Sequence, residues 1–245
     1  MINIAELNLL SPQRPRTAKD MPHAVLFDLD GTLVDSVPDI TLAVAELMAT
    51  EDLAPFPETD VREMVGHGVR PLVARAFAAR GRALDPDALR RMVERMVGIY
   101  PRHLTGRTTL MPGAMDCLNE LSARGCAMAV VTNKLQGPAN TVLAHFGLTE
   151  YFGVILGDQA RPSGLATKPQ PDMLLFALSR LGVTQRDAIM IGDSAADIGA
   201  ASNAGIFSVG LRNGYSSVPL ENLSPGAIID DLTGLPSALA VWRDQ

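Results

Sequence analysis

The pattern of apolar and polar positions is sharpest between residues 23 and 32. Ala24–Phe27 are apolar without alternation, which is typical of a parallel strand covered on both faces. Asp28 and Asp30 follow at once, and the alternation of side chains along an extended chain places both carboxylates on the same side. Gly31 then allows the backbone to leave the sheet. The segment therefore predicts a buried strand with two carboxylates at its carboxyl end.

Between residues 36 and 109 the apolar positions recur at helical spacing. Helices are predicted over residues 38–50, 58–65, 69–80 and 86–103. Pro38 suits the first turn of the first helix, and the two glycines around His67 separate the second helix from the third. Because these helices stand between the first strand and the rest of the chain, they predict an inserted all-α domain over residues 36–109.

After residue 110 predicted strands and helices alternate. The strands are predicted over residues 127–131, 154–156, 188–191, 206–209 and 227–229, and the helices over 114–124, 138–146, 171–181 and 195–203. This alternation implies right-handed crossovers and an α/β fold with a doubly wound parallel sheet. We expect the core to comprise residues 21–35 and 110–245. The polar, proline-broken residues 1–20 are expected to form a flexible extension, which makes Met21 a natural start.

Composition narrows the range of partners. The chain has 245 residues, 47% of them hydrophobic, and a net charge of −6, so neither nucleic acid nor a membrane is expected as a partner. No apolar run approaches the length of a membrane span. The two cysteines lack C-x-x-C spacing, which favours a reducing cytoplasm. The four histidines form no H-x-x-x-H pair, so a zinc site is not expected.

Polar residues stand where predicted strands end. Ligands of doubly wound sheets bind at the carboxyl ends of the strands, so we expect Asp28 and Asp30 to lie near Thr132, Asn133 and Asp193. Two carboxylates this close repel each other and titrate apart, so that one can be nucleophilic while the other carries a proton. An isolated Asp-x-Asp is more often a turn with a local cap, but the apolar strand before it favours the functional interpretation here.

These motifs resemble, in order, those of the haloacid-dehalogenase-like phosphohydrolases. The matching residues are Asp28-Leu-Asp30-Gly-Thr, Thr132-Asn133, Lys168 in Lys-Pro-Gln-Pro-Asp, and Gly192-Asp193-Ser-Ala-Ala-Asp197. Each later motif is weak alone, whereas the set in this order is specific, and it covers residues 23 to about 230. The resemblance implies a Rossmann-like core with a helical cap over the active site. It also implies a phosphatase that acts on a small phosphorylated metabolite.

The resemblance assigns a role to each catalytic position. Asp28 would be the nucleophile that forms an aspartyl-phosphate, and Asp30 would be the acid for the leaving group and then the base for water. Lys168 would bring positive charge to the phosphate and the nucleophile. The hydroxyl of Thr132 and the amide of Asn133 would donate hydrogen bonds to phosphoryl oxygens.

The resemblance also implies a Mg2+ site. Asp28 and Asp193 would supply carboxylate oxygens and Asp30 a backbone carbonyl, a set of hard ligands suited to this ion. Asp197 would act behind the ligands, where it would order Mg2+-bound water or hold Lys168. As an acid in the first turn of a helix, Asp197 would alternatively favour the helix dipole.

The cap would select the substrate, since members of the family differ mainly there. Residues 36–109 contain no lysine, which disfavours the phosphonoacetaldehyde hydrolases, and the second acid, Asp30, disfavours the haloacid dehalogenases. The segment from Val65 to Leu72, with Gly66, His67 and Arg70, resembles the phosphoglycolate phosphatases. These three residues are candidates for substrate binding, or the segment is only a helix–helix connector.

Several alternatives stay open from the sequence. A phosphomutase of the β-phosphoglucomutase type or a sugar-phosphate phosphatase would share every core motif, and a non-catalytic binding protein is the third possibility. The chain is expected to be a monomer or a homodimer. Lys134 and Asp158 are interpreted as helix-start and loop residues, and the loop over residues 158–168 is longer than expected for the family.

Overall fold

The structure is a computed structural model that describes residues 21–158 and 165–243. The predicted extension over residues 1–20 and most of the long loop after Asp158 lie outside the described residues. The strands are β1 Ala24–Phe27, β2 Val34–Asp35, β3 Thr109–Leu110, β4 Ala127–Leu135, β5 Val154–Asp158, β6 Ala188–Gly192, β7 Phe207–Leu211 and β8 Ala227–Ile229. The helices are α1 Val37–Ala49, α2 Glu58–Met64, α3 Val69–Ala79, α4 Pro86–Ile99, α5 Ala114–Ala123, α6 Gln136–His145, α7 Asp172–Leu181, α8 Ala195–Ala204 and α9 Leu235–Arg243.

A six-stranded sheet in the order β5-β4-β1-β6-β7-β8 forms the core, and its neighbouring strands run parallel. β1 lies between β4 and β6, and its continuous apolar run is explained by burial on both faces. Val25 and Phe27 pack into one apolar cluster with α5, α6 and α9, whereas Ala24 and Leu26 pack into a second with α7 and α8. The predicted doubly wound parallel sheet is confirmed.

The helical cap, here α1 to α4 and the 3-10 turn that follows α4, is inserted between β2 and β3. These two short strands pair antiparallel, so the chain enters and leaves the cap side by side. Asp39 in α1 fixes the exit strand, because its carboxylate accepts from the backbone amides of Arg107 and Thr108 at 2.8 to 3.1 Å. The cap helices bury their apolar faces in the same cluster that contains Val25 and Phe27. The predicted all-α insert is confirmed.

Several features differ from the sequence prediction. The short strands β2 and β3 were not predicted, and β5 continues through Asp158, which was interpreted as a loop residue. Helix α4 ends at Ile99, where a 3-10 turn over Tyr100–Arg102 replaces its predicted last turn. β4 continues through its polar residues to Leu135 instead of ending at residue 131, because those side chains find buried partners. Helix α9 was not predicted. No helix among residues 21–158 and 165–243 is long and apolar enough to cross a membrane.

Candidate active site

The carboxyl end of β1 places a buried carboxylate against a buried lysine. Asp28 is 5% exposed, and Nζ of Lys168 lies 2.9 Å from its Oδ1 atom. The same ammonium donates to Oδ1 of Asp197 at 2.6 Å and to the carbonyl oxygen of Val131 at 2.7 Å. Burial works to lower the pKa of Lys168, but Asp197 and Asp28 raise it above its usual value, so the side chain stays charged. Lys168 therefore supplies fixed positive charge between two carboxylates.

Three buried carboxylates converge at this edge of the sheet. One oxygen each from Asp28, Asp193 and Asp197 lies within 4.8 Å of the others. Burial raises the pKa of Asp28 to about 6, and the charge of Asp197 adds to the rise. Burial, and then the charges of Asp197 and Asp28, also raise the pKa of Asp193 well above its ordinary value. Because Lys168 balances only part of this charge, the donor set fits a hard divalent cation such as Mg2+.

Asp193 is held by two donors and enclosed by two glycines. Its Oδ1 atom accepts from the hydroxyl of Thr32 at 3.0 Å, and its Oδ2 atom accepts from the backbone amide of Tyr215 at 2.6 Å. A Cβ atom at Gly31 would lie 2.4 Å from Oδ2, and one at Gly214 would lie 2.1 Å from the Cβ atom of Asp193. Gly31 also has a φ of +85°, which side chains disfavour. Both glycines are needed for this carboxylate to reach the end of β1.

Asp197 contacts Lys168 and also caps helix α8. Its Oδ1 atom accepts from Lys168, while its Oδ2 atom accepts from the amide of Ser194 at 3.0 Å and from its hydroxyl at 2.7 Å. The hydroxyl of Ser194 in turn completes a capping box at the start of the helix. Asp197 therefore holds the ammonium of Lys168 and the first turn of α8, while it shares the cluster of three carboxylates that could hold a metal.

Asn133 and Thr132 lie in the part of β4 beyond its predicted end at residue 131. Nδ2 of Asn133 donates to the carbonyl oxygens of Lys168 at 3.0 Å and Gly66 at 3.4 Å, and its Oδ1 accepts from the amide of Lys168 at 3.1 Å. The side chain that was predicted to donate to phosphate therefore holds the Lys168 backbone and contacts the cap. The Thr132 oxygen accepts from the amide of Lys134 at 3.2 Å, and no described residue accepts its hydrogen, which is therefore available to a ligand.

Asp30 makes its polar contacts with β4 and with the start of the cap. Its Oδ1 atom accepts from the hydroxyl of Ser36 at 2.6 Å, and Nζ of Lys134 lies 2.8 and 3.1 Å from its two oxygens. The same ammonium donates to the hydroxyl of Tyr100. Burial works to lower the pKa of Lys134, but Asp30 and Tyr100 keep it above its usual value. The charged lysine therefore joins the expected acid–base residue to the cap.

A cleft lies between this edge of the sheet and the cap. Core residues lining it include both acids of the first motif and the stretch over residues 132–135, and the cap contributes Gly66, Gly68 and apolar side chains. The side chains of His67 and Arg70 are exposed and do not line the cleft. Nη2 of Arg75 lies 3.5 Å from Nδ1 of His67. The two glycines of this segment therefore lie at the site, whereas the side chains of His67 and Arg70 do not.

The motifs and their geometry agree with a comparison to known families. The model of the haloacid dehalogenase-like hydrolases matches residues 22–205. The chain belongs to this family. Its relatives include proteins named phosphoglycolate phosphatase from Rhodospirillum rubrum, with 41% identity, and Caulobacter vibrioides, with 36%. These alignments cover 88% and 87% of the chain, and 90% and 89% of the two relatives.

Solved structures share the same arrangement of sheet and cap. One described as a predicted phosphoglycolate phosphatase from Haemophilus somnus superposes with a TM-score of 0.81 at 30% identity, over 88% of this hydrolase and 96% of that chain. A β-phosphoglucomutase from Clostridium difficile superposes with a TM-score of 0.72 at 22% identity, over 91% and 98%. The second likeness concerns the fold alone.

In this hydrolase a tyrosine that sequence reasoning missed links the acid cluster to the entrance of the cap. Tyr215 lies after β7, and its hydroxyl donates to Oδ1 of Asp35 at 2.7 Å and accepts from the amide of Ser36 at 2.8 Å. The guanidinium of Arg62 in α2 lies 4.8 Å from the Tyr215 ring centroid and 3.3 Å from Asp35. Since the amide of Tyr215 also binds Asp193, one residue contacts both the core acids and the cap linker.

Lys134 was also missed, although a signal for it existed in the sequence. The sequence predicts a helix start at Lys134, whereas the residue lies in β4 and is 7% exposed. Alternation along a strand that continued past residue 131 would have placed Lys134 on the same side as Thr132. No such signal marks Tyr215, because it lies outside every predicted strand and helix and belongs to no motif.

Proposed function

We propose that the chain is a Mg2+-dependent phosphatase that hydrolyses small phosphate monoesters through an aspartyl-phosphate, with 2-phosphoglycolate as its substrate. The observation that carries this proposal is the buried cluster at the end of β1, where Asp28 meets Lys168 and Asp193 beside an open cleft. The similarity to proteins named phosphoglycolate phosphatase, at up to 41% identity over most of the chain, supports the choice of substrate.

We propose that Asp28, Asp193 and the backbone carbonyl of Asp30 hold the Mg2+. When bound, the ion would neutralise charge on the phosphate and on the nucleophile, which otherwise repel each other. The excess of negative charge in the cluster supports this assignment. So does the raised pKa of Asp28, because its carboxylate lacks sufficient compensation from Lys168 alone.

The side chains then share the steps of hydrolysis. A carboxylate oxygen of Asp28 attacks phosphorus as the bond from phosphorus to the ester oxygen breaks, and Asp30 protonates the departing alkoxide. Asp30 next removes a proton from water, whose oxygen attacks the phosphorus of the acyl-phosphate and releases the Asp28 carboxylate and inorganic phosphate. Lys168 orients Asp28 throughout, while the free hydroxyl hydrogen of Thr132 points to a role in binding phosphoryl oxygen.

We also propose a division of labour between a core over residues 21–35 and 110–245 and a cap over residues 36–109. The paired linkers β2 and β3 would act as a hinge, so that the cap opens for substrate and closes to exclude water. The cell compartment expected from the sequence is the cytoplasm, and the expected state is a monomer or homodimer.

A panel of phosphate esters tests the proposal. The purified protein should hydrolyse 2-phosphoglycolate with a higher kcat/KM than glucose phosphates, pyrophosphate or p-nitrophenyl phosphate, and only with Mg2+ present. Turnover of a sugar phosphate that requires a catalytic sugar bisphosphate would instead identify a phosphomutase. Absence of turnover for every ester with Mg2+ would support the non-catalytic alternative.

A further inference from the structure

We infer that Lys134 and Tyr100 form a subsite for a second anionic group of the substrate, a carboxylate beside the phosphate ester. This inference rests on the proposed phosphatase function and names the residues that would choose the substrate. It assigns the choice to a lysine of the core strand β4 and a tyrosine of the cap, in place of the exposed His67 and Arg70.

The first step concerns charge. The charged side chains that line the cleft are Asp28, Asp30 and Lys134, and the second buried ammonium, on Lys168, is already shared by Asp28 and Asp197. A carboxylate that enters this cleft loses water and needs a cation or a donor in return. Lys134 is the cation of the described cleft that is not committed to the nucleophile.

The second step concerns donors. Tyr100 is buried, and its hydroxyl oxygen accepts from the ammonium of Lys134. No described residue accepts the hydrogen of that hydroxyl, so it is free to donate to a ligand. Burial raises the pKa of Tyr100 to about 12, which keeps the hydroxyl protonated at neutral pH. The pair therefore offers a charge and a neutral donor at one place.

The third step concerns distance along β4. Thr132 and Lys134 both line the cleft two positions apart, a spacing of about 6 to 7 Å along an extended strand. In 2-phosphoglycolate the carboxylate and the phosphate are separated by a methylene and the ester oxygen. A compact ester of this kind fits a phosphate at Thr132 and a carboxylate at Lys134, whereas an exposed side chain on the far side of the segment over residues 66–70 would not reach it.

The fourth step concerns the cap. Of the cap side chains that line the cleft, those of Ile40, Val65, Val69, Leu72 and Met96 are apolar. Tyr100 is the polar one, and its contact with Lys134 joins the cap to the core. The subsite is complete only while Tyr100 contacts Lys134, so the second anion would be recognised only when the cap is closed against the core.

The test compares two esters that differ in the carboxylate alone, 2-phosphoglycolate and ethyl phosphate. Tyr100→Phe keeps the ring but removes the hydroxyl, and we expect it to lower kcat/KM for 2-phosphoglycolate about tenfold and that for ethyl phosphate less than about twofold. Lys134→Gln should slow both esters because Lys134 also holds Asp30, with a loss at least about tenfold larger for 2-phosphoglycolate. Lys134→Arg should recover part of that selectivity.

The controls separate the subsite from other effects. Arg91→Gln removes an exposed cationic residue of α4 that does not line the cleft, and it should leave the ratio between the two esters unchanged. Thermal unfolding with circular dichroism checks that each variant is folded. Equal losses for both esters in Lys134→Gln and Tyr100→Phe would mean that these residues only position Asp30 and would overturn the inference. A wild-type enzyme that shows no preference for 2-phosphoglycolate would instead contradict the proposed substrate.

Discussion

The cleft has a core wall, formed by residues at the ends of β1 and β4, and a cap wall, formed by residues of the helical cap. The two walls differ in the kind of side chain that lines them. On the core wall, polar side chains are locked to one another, as Asp197 is by Lys168 and Ser194, and Asp193 is by Thr32. On the cap wall the lining is mostly apolar and its polar side chain is Tyr100. A network of buried bonds holds reacting groups in place, whereas an apolar wall provides shape and excludes water. We therefore expect substitutions of the core acids to lower turnover, and substitutions of cap side chains that line the cleft to change selectivity.

The largest effect should follow from Asp28→Asn on the core wall. An amide cannot form the acyl-phosphate, so kcat should fall by at least about a thousandfold for every ester, while the fold is kept. Steady-state assays with saturating Mg2+ measure this loss. If the variant retained more than a few per cent of the activity, the covalent role of Asp28 would be wrong.

Removal of the metal should have the next largest effect on activity. Excess EDTA should silence the enzyme and Mg2+ should restore it, whereas Ca2+ should inhibit because its looser coordination misplaces the nucleophile. Saturating Mg2+ should also raise the melting temperature of the ligand-free protein by roughly 5 °C or more. Asp193→Asn should abolish this shift, whereas Asp116→Asn, which removes an exposed acid on α5, should not.

The increase in melting temperature caused by Mg2+ should become larger as the pH rises. The pKa of Asp28 is raised from 3.8 to about 6 in the folded state. Its protonated form therefore stabilises the metal-free protein at low pH, and this contribution is lost as the pH rises from about 4 to above 6. Bound Mg2+ compensates for that loss, so its effect on melting temperature should be larger at about pH 7.5 than at about pH 5. A shift that is equal at both values would argue against Asp28 as a ligand.

Asp30→Asn should have an intermediate effect that depends on the leaving group. Alkyl phosphates need a proton on the departing oxygen, so their kcat should fall about a hundredfold or more, whereas p-nitrophenyl phosphate should lose much less. Comparison of kcat for the two substrates measures the difference. Equal losses would count against Asp30 as the acid.

The smallest effects should come from the exposed side of the cap segment. His67→Ala and Arg70→Ala should change kcat/KM for 2-phosphoglycolate by less than about threefold, because neither side chain lines the cleft. A tenfold selective loss would show that these residues enter the site in another state of the cap. That result would restore them as candidates for carboxylate binding.

More of the site residues on the core wall than on the cap wall could be predicted from the sequence, for a physical reason. Asp28 and Asp193 follow strands directly, and a parallel sheet brings strand ends to one edge whatever the details. Lys168 lies between β5 and α7, and the order of the motifs indicated it. The contacts of Tyr100 and Tyr215 join segments far apart in the chain, so no periodicity or spacing reports them. Lys134 is an intermediate case. Alternation would have indicated where its side chain points only if β4 had been predicted to continue past residue 131.

The central place of β1 in the sheet also constrains the order in which the chain can fold. Ala24 pairs with Ala127 on one side and with Ala188 on the other, so neither neighbour exists until the whole cap has left the ribosome. At about 5 to 20 residues per second that delay is on the order of ten seconds. The cap helices contact near neighbours and can form earlier. A wholly apolar strand of the catalytic core is therefore made early and buried late, which leaves it dependent on protection during synthesis.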